Sequence, residues 1–184
     1  MNKKGFTLIE LLAVIVIMGI LMMVAVPAVN RYVEKSRKST FVNTTKEYLN
    51  SARNLWYANE MICCNSGCDD ASNYTIPSNS IENGTYSIRI NTKDATDGNP
   101  KLLSSGGTSP WGKSNMFGYV QVTVTNGEAD FKIAVNDQTD VGSTKHASFY
   151  TYRSLNELTV ANLDSTPTGT AWRNKATKPF CNVK

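Results

Sequence analysis

Hydrophobic residues are concentrated at the start of the chain. Within residues 6–29, 20 of 24 positions are apolar, whereas the other 160 residues contain only 55 apolar residues. The 19 residues from position 11 to position 29 carry no charge, and a helix of this length can cross a membrane. The pattern predicts an N-terminal apolar helix joined to a polar body, which argues against an ordinary cytosolic enzyme.

The helix is predicted to continue well beyond the apolar block. Apolar residues recur near helical spacing as far as about residue 60, and Arg37 and Thr45 interrupt them. We therefore expect one helix from Phe6 to about Asn59, with a kink at Pro27, because proline removes a backbone hydrogen bond. The expected packing stripe consists of Val29, Val33, Phe41, Tyr48, Leu49, Ala52, Leu55 and Trp56.

Alternating apolar and polar residues predict strands in the polar body. Asn126 and Gly127 lie between two of these strands, which is a strong signal for a hairpin. Together these features predict an α+β fold in which a long N-terminal helix packs on a C-terminal antiparallel sheet. Residues 155–163 are ambiguous, and residues 92–114 and 164–178 are expected to be loops. The predicted strands are residues 86–90, 119–125, 128–135 and 148–152.

The polar body is rich in neutral polar residues. Ser, Thr and Asn account for 54 residues, whereas charged residues make up 18% of the chain. The 17 aromatic residues and the strand patterns argue against disorder. A surface of hydroxyl and amide groups suits a protein that faces the outside of the cell. The net charge of +4 is too small to indicate nucleic-acid binding by itself.

Glu10 is the unusual residue of the apolar block. A carboxylate in an apolar helix costs about 2.5–3.5 kcal/mol at the centre of a bilayer and less toward the interface. An ordinary secretory signal or a simple membrane anchor gains nothing from it, so Glu10 indicates a functional site. The apolar run contains no Lys, Arg or His, and the sequence therefore predicts a cationic partner from elsewhere.

Residues 4–10, Lys-Gly-Phe-Thr-Leu-Ile-Glu, carry a resemblance to a known family. With Gly19 and Pro27 in the apolar run that follows, they resemble the class III signal of type IV pilins and pseudopilins. The resemblance implies that a membrane peptidase cuts between Gly5 and Phe6 and that the new N-terminus at Phe6 is methylated. It also implies the ladle-like pilin fold, with a long helix and a β-rich head.

The resemblance implies roles for the residues around the cleavage position. Cleavage leaves a mostly protonated α-amino group on Phe6, since the reference pKa of this group is near 8. In the apolar core of a filament, Glu10 of one subunit then neutralises Phe6 of a neighbour, and Thr7 supports the same contact. Gly19 and Pro27 bound a segment in which helix flexibility is expected.

The implied organisation has four parts: a leader at residues 1–5, a membrane and filament-core helix at 6–29, its amphipathic continuation at 30–62, and a head at 63–184. The chain is expected to be a non-enzymatic pilus subunit, a precursor in the cell membrane and then an extracellular filament for adhesion, motility or surface interaction. Expected partners are copies of itself, related pilins, the prepilin peptidase and the membrane assembly machinery. The alternatives are a pseudopilin of a type II secretion or DNA-uptake system and a non-polymerising anchored surface protein.

Four basic residues follow the apolar run, against two lysines before it. By the positive-inside rule this excess places their side of the membrane in the cytoplasm, whereas the family has the opposite orientation. They are expected to form a solvated face, to contact anionic lipid headgroups, or to pair with acidic residues of neighbouring subunits. Nucleic-acid binding is not expected, because no aromatic platform is interleaved with them. The four residues are Arg31, Lys35, Arg37 and Lys38.

Four cysteines, an even number, fit an oxidising compartment or a metal site. A bond between the adjacent Cys63 and Cys64 is sterically poor, so one of these two is expected to bond to Cys181 and the other to Cys68. A bond to Cys181 closes a long loop, which stabilises the fold in the chain-entropy model. A zinc site is the alternative, although Cys-Cys-x3-Cys is not a standard zinc pattern.

Few other motifs point to catalysis or ligands. His146 is the only histidine of the chain, and no phosphate-binding glycine loop occurs, so we expect no enzymatic activity, cofactor or metal. Acidic turns at residues 94–99 and 137–140 contain oxygen ligands for calcium but match no complete calcium loop. N-glycosylation sequons at Asn43, Asn73 and Asn83 are expected by chance in so Asn- and Thr-rich a chain.

Overall fold

The computed structural model describes residues 5, 7–64, 75–91, 102–103, 109–112, 116–137, 147–164 and 179–183. One long helix, α1 (Leu8–Tyr57), precedes the strands. The chain forms two compact units, Met1–Arg37 and Lys38–Lys184, and α1 contributes residues to both.

The first unit contains residues 8–37 of α1. Leu, Met and Ala are strong helix formers, and they are frequent here. The helix continues through Pro27. Within the described parts of the chain, α1 is the one helix that is long and apolar enough to cross a membrane, and none of its most apolar 18 residues is buried.

The C-terminal end of α1 is closed by a residue in the left-handed conformation. Asn59 has a φ of 59°, its N–H donates to the Trp56 carbonyl at 3.1 Å, and the Glu60 N–H donates to the Leu55 carbonyl at 2.9 Å. This is the Schellman arrangement, in which two otherwise unpaired helix carbonyls are satisfied. The Ser78 hydroxyl donates to the Trp56 carbonyl as well, at 2.9 Å. The helix therefore ends at an asparagine that adopts the left-handed conformation.

The second unit contains residues 38–57 of α1 and a sheet. Among the described residues this sheet has seven strands in the order β2-β1-β7-β3-β4-β5-β6. The strands are β1 (Met61–Cys63), β2 (Ile76–Pro77), β3 (Gly84–Asn91), β4 (Phe117–Thr125), β5 (Glu128–Asn136), β6 (Ser148–Arg153) and β7 (Phe180–Val183).

β4 and β5 form the hairpin expected from the Asn-Gly pair. Asn126 has a φ of 52° and Gly127 a φ of 82°, the two positive angles that a type I′ turn requires. The ladder is regular over nine residue pairs, from Thr125 opposite Glu128 to Phe117 opposite Asn136. At Gly118 the two strands approach so closely that an added Cβ would lie 2.7 Å from the Cα atom of Val135.

The C-terminal strand β7 lies in the middle of the sheet. It pairs antiparallel with β1 and parallel with β3. Cys63 and Cys181 are directly opposite in the β1–β7 ladder and form a disulfide that closes a separation of 118 residues. β1 and β2 reach the rest of the sheet through β7, so the last strand of the described chain completes the sheet.

The hydrophobic core of the second unit lies between α1 and one face of the sheet. Phe41 stacks on Phe149, with ring centroids 6.0 Å apart, and the Trp56 ring meets Phe131 edge to face at 6.0 Å. Thr45 is fully buried, and its hydroxyl donates to the Phe41 carbonyl at 2.8 Å. The buried positions of α1 are Phe41, Val42, Thr45, Tyr48, Leu49, Ala52 and Trp56.

The predicted α+β fold class is confirmed, and so is the hairpin. Three findings refine the expectation. The sheet is mixed because β7 runs parallel to β3. Thr45 belongs to the core instead of interrupting it, since its hydroxyl is satisfied within the helix. The ambiguous segment at 155–163 contains two 3-10 turns, Leu155–Glu157 and Val160–Asn162.

Candidate functional site

The start of α1 is organised around Thr7 and Glu10. The Glu10 carboxylate accepts hydrogen bonds from the Thr7 backbone N–H at 2.9 Å and from the Thr7 hydroxyl at 2.8 Å. In return the Glu10 N–H donates to the Thr7 hydroxyl oxygen at 3.4 Å. The Leu11 N–H donates to the Thr7 carbonyl at 3.3 Å, which closes the first turn.

This geometry is a capping box, in which the residue before the helix and the third helical residue satisfy each other's backbone donors. A negative charge in the first turn also interacts favourably with the helix dipole. The box uses groups that remain when the peptide bond between Gly5 and Phe6 is cut, because the amide of Thr7 is unaffected. The cap is therefore compatible with both the uncut and the cut chain.

The capping box adds a contact within the chain to the prediction for Glu10. The apolar run offers no cation to Glu10, and the sequence predicts a cationic partner from elsewhere. Thr7 supplies two hydrogen-bond donors from the same chain. The charge of Glu10 still has no cation in these contacts, so the need for a cationic partner stays a prediction. Phe6, the expected source of that cation, lies outside the described residues.

The other predicted residues of this segment lie along α1. Gly5 is exposed, and a Cβ added at Gly19 would meet nothing within 4 Å. Gly19 and Pro27 both lie inside the continuous helix, and the flexibility expected between them stays a prediction. Arg31, Lys35 and Arg37 are exposed in the first unit.

The sequence motif that identifies the capping box is Thr-x-x-Glu, and the same pattern recurs in the head. The Glu157 carboxylate accepts from the Ser154 N–H at 2.8 Å and from the Ser154 hydroxyl at 2.7 Å. The Ser154 N–H, with help from its hydroxyl, lowers the pKa of Glu157. At Thr7 the same pattern stands directly before an apolar run, which makes it a recognisable helix start in the sequence.

The cysteines follow one of the two predicted pairings. Cys63 is bonded to Cys181, and Cys64 is also in a disulfide. Cys68 lies outside the described residues. Because Cys63, Cys64 and Cys181 are disulfide-bonded, they supply no thiolate ligands to a zinc ion.

The remaining candidate sites are only partly described. Asp137 is fully buried, whereas residues 138–140, residues 94–99, His146 and Asn73 lie outside the described residues. At the Asn43 sequon, the required Thr45 hydroxyl is buried and bonded to the Phe41 carbonyl. At the second described sequon, the Asn83 side-chain oxygen accepts from the Asn126 N–H at 2.9 Å.

The chain thus combines a long helix whose first part is apolar and exposed, a capped carboxylate at the start of that helix, and a disulfide-bonded β head, which are features of a structural subunit. Residues 1–26 match the family model described as the prokaryotic N-terminal methylation motif. The chain is 31% identical over 154 residues to the type IV major pilin protein PilE1 of Neisseria gonorrhoeae, covering 78% of this chain and 84% of that protein. No solved structure matches significantly. The chain belongs to the type IV pilin family, whose members are structural rather than catalytic.

Proposed function

We propose that the chain is a structural subunit of a type IV pilus, without enzymatic activity. A precursor in the cell membrane is cut between Gly5 and Phe6, is methylated at Phe6, and polymerises through α1 into an extracellular filament for adhesion, motility or surface interaction. One observation carries the proposal: the hydrogen-bonded carboxylate of Glu10 begins a helix whose most apolar 18 residues are all exposed.

The exposed apolar surface supports two successive surroundings for α1. Exposing apolar surface to water costs about 25 cal/mol of free energy per Å², so an apolar helix of this length requires an apolar environment. A bilayer provides this environment for the single subunit, and the helices of neighbouring subunits provide it in a filament. None of the 18 most apolar residues of α1 is buried, which agrees with apolar contacts that come from outside the chain.

The capping box supports the role proposed for Glu10. Hydrogen bonds from Thr7 reduce the desolvation cost of the carboxylate in an apolar environment. They do not neutralise its charge, and a buried charge without a counter-ion remains unfavourable. The ammonium group that cleavage creates on Phe6 of a neighbouring subunit supplies the missing charge, so the pair favours the filament over the separate subunits.

The first test is the mature N-terminus, which the prepilin peptidase is expected to create. Mass spectrometry of the protein isolated from cells should find a chain that begins at Phe6 and carries one added methyl group. A Gly5→Leu variant should keep residues 1–5 and remain in the membrane fraction. A mature chain that begins after residue 26 would contradict the proposal, because an ordinary signal peptidase would then have removed α1's apolar part.

The second test is filament formation by charge variants. Cells carrying Glu10→Ala should lose surface filaments, whereas cells carrying Glu47→Ala should keep them, because Glu47 is an exposed carboxylate elsewhere on α1. Both variants should accumulate to wild-type levels, which separates assembly from folding. Normal filaments with Glu10→Ala would remove the assembly role. If the wild type forms only short filaments that do not leave the cell envelope, the alternative of a pseudopilin is correct.

A further inference from the structure

We infer that the basic segment of α1, defined by Arg31, Lys35 and Arg37, binds the anionic lipid headgroups of the leaflet in which the apolar part of α1 ends. The inference rests on the proposed membrane-held form of the chain. Before the subunit enters a filament, the ligand of these three basic side chains is the phosphate-bearing lipid headgroup.

The position of the segment along the helix matches the headgroup layer. Residues 11–29 are uncharged and helical, and at about 1.5 Å per residue they span about 28 Å, close to the hydrocarbon thickness of a bilayer. Arg31 follows two residues later. Residues 31–37 cover about 10 Å of helix, which includes the headgroup region beyond the hydrocarbon.

The side chains of the segment are available for this contact. Arg31, Lys35 and Arg37 are all exposed, and Glu34 is the single acidic residue among residues 31–37. Arg31 and Lys35 are four residues apart, so they lie on one face of the helix and present two charges together. Long basic side chains can keep their apolar stems near the hydrocarbon while the charged ends reach the headgroups.

An aromatic residue at the same level is an independent indication of an interface. Tyr32 is 76% exposed, and it lies between Arg31 and the other two basic residues. Tyrosine is enriched at membrane–water interfaces, where its ring meets the headgroups. Tyr32 is therefore exposed, flanked by basic residues and placed directly after an uncharged stretch of helix. This arrangement is typical of a residue at a membrane–water interface rather than of a fully solvated helix face.

In the proposed orientation, the three basic residues lie on the side of the membrane that the positive-inside rule disfavours, and they need a stabilising contact there. A basic excess after the apolar run opposes its own transfer across the membrane under the positive-inside rule. Attraction to an anionic headgroup surface strengthens association with that surface by about fivefold per basic residue, from about 1 kcal/mol each. The attraction holds the subunit in place on the outer side, where it waits for assembly.

The test measures lipid preference around the membrane-inserted chain. The full chain is reconstituted in phosphatidylcholine vesicles containing a trace of spin-labelled phosphatidylglycerol or spin-labelled phosphatidylcholine. Electron paramagnetic resonance gives the relative association of the two labelled lipids with the protein. We expect the wild type to prefer phosphatidylglycerol and the double variant Arg31→Gln/Lys35→Gln to lose several-fold of that preference. Salt at 1 M should weaken the wild-type preference, since the screening length falls to about 3 Å.

The matched control is Lys46→Gln/Lys132→Gln, which removes two charges from the second unit. This control should leave the preference for phosphatidylglycerol unchanged. Lys3 and Lys4 are present in all variants, so they contribute equally to the lipid preference of each. An unchanged preference in Arg31→Gln/Lys35→Gln would overturn the inference. If that variant instead loses filaments while keeping wild-type lipid preference, the charges bind a second copy of the chain and the inference is wrong. Failure of the wild type to insert would overturn both this inference and the proposed membrane-held precursor, whereas insertion without lipid preference would overturn this inference alone.

Discussion

Residues 8–37 and residues 38–57 belong to one α-helix, but their leucines have opposite surroundings. Leu12 is 52% exposed, whereas Leu49 is fully buried. Residues 11–29 of the first part are uncharged and apolar on all sides, and a helix of this kind requires an apolar environment around its whole circumference. The second part is amphipathic, and its apolar face is covered by the sheet of its own unit.

The two parts of α1 take their contacts from different sources. The second part is explained by the single chain, because the apolar residues of its buried face belong to the core. Among the described residues of the first unit, the apolar side chains of the helix are exposed, so we expect them to contact lipid or other subunits. Substitutions in the two parts should therefore affect different measurements, folding of the head in one case and insertion or assembly in the other.

The largest effect on the head is expected from the disulfide. Replacing both Cys63 and Cys181 by Ser should destabilise the second unit by about 4–5 kcal/mol in the chain-entropy model, because the bond closes a separation of 118 residues. Denaturant unfolding of the full chain in detergent, followed by tryptophan fluorescence, measures this loss. The helicity of residues 8–37 should persist, and insertion of the variant into vesicles should be unchanged.

An unaltered unfolding midpoint in the Cys63→Ser/Cys181→Ser variant would mean that β7 is held by its ladders alone. In that case the central position of β7 between β1 and β3 is stable without the covalent bond. Loss of membrane insertion in the same variant would contradict the separation between the two parts of α1.

A matched pair of leucines tests the comparison directly. Leu49→Ala should destabilise the head by about 2–5 kcal/mol, since it removes a fully buried side chain and leaves a cavity. Leu12→Ala removes the same atoms from an exposed position and should leave the unfolding midpoint of the head unchanged. Equal effects of the two substitutions would show that residues 8–37 also contribute to the stability of the head.

The parts of the fold that could be predicted from sequence depend on local patterns. Asn126 and Gly127 predicted the β4–β5 hairpin because the turn chemistry is contained in two neighbouring residues. The helix was expected to end near Asn59, and α1 ends at Tyr57 with Asn59 in the cap. The short strands β1, β2 and β7 were not predicted, because two to four residues carry no usable alternation.

The parts that could not be predicted depend on distant partners. The parallel pairing of β7 with β3 brings Cys181 opposite Ile88, and nothing in the local sequence of either strand indicates it. The sequence leaves Cys63 and Cys64 as possible disulfide partners of Cys181, and only the ladder between β1 and β7 selects Cys63. At the candidate site, the charge of Glu10 in an apolar run indicates a functional residue, and the Thr-x-x-Glu spacing indicates its contact with Thr7.

The end of α1 offers a smaller test within the second unit. Asn59→Ala should destabilise the head by about 1 kcal/mol, because a Cβ-bearing residue without a polar side chain is strained at positive φ. Asn59→Gly should stay within about 0.5 kcal/mol of the wild type, since glycine adopts this conformation freely. The same fluorescence measurement of unfolding applies. Equal losses for Ala and Gly would assign the role of Asn59 to its side-chain oxygen, which accepts from the Asn79 N–H at 3.5 Å.

The smallest expected effect compares the two capping boxes, one in each unit. The Ser154 N–H and hydroxyl lower the pKa of the exposed Glu157. In Ser154→Ala the hydroxyl is lost and the N–H remains, so the pKa of Glu157 should rise but stay below its ordinary value of about 4.3. The titration of the Glu157 side-chain carboxyl carbon, followed by nuclear magnetic resonance, measures this change.

The sign of the linked stability follows from the direction of the pKa shift. Because folding lowers the pKa of Glu157, its contribution to stability is present above the ordinary glutamate pKa and is lost as the pH falls through the folded value. Ser154→Ala should therefore destabilise the head slightly, and by more at neutral pH than in strong acid. Thr7→Ala, the matching change in the first unit, should leave the unfolding of the head unaltered at every pH and reduce filament formation instead. A pH-dependent loss of head stability in Thr7→Ala would contradict the assignment of the two parts of α1 to different partners.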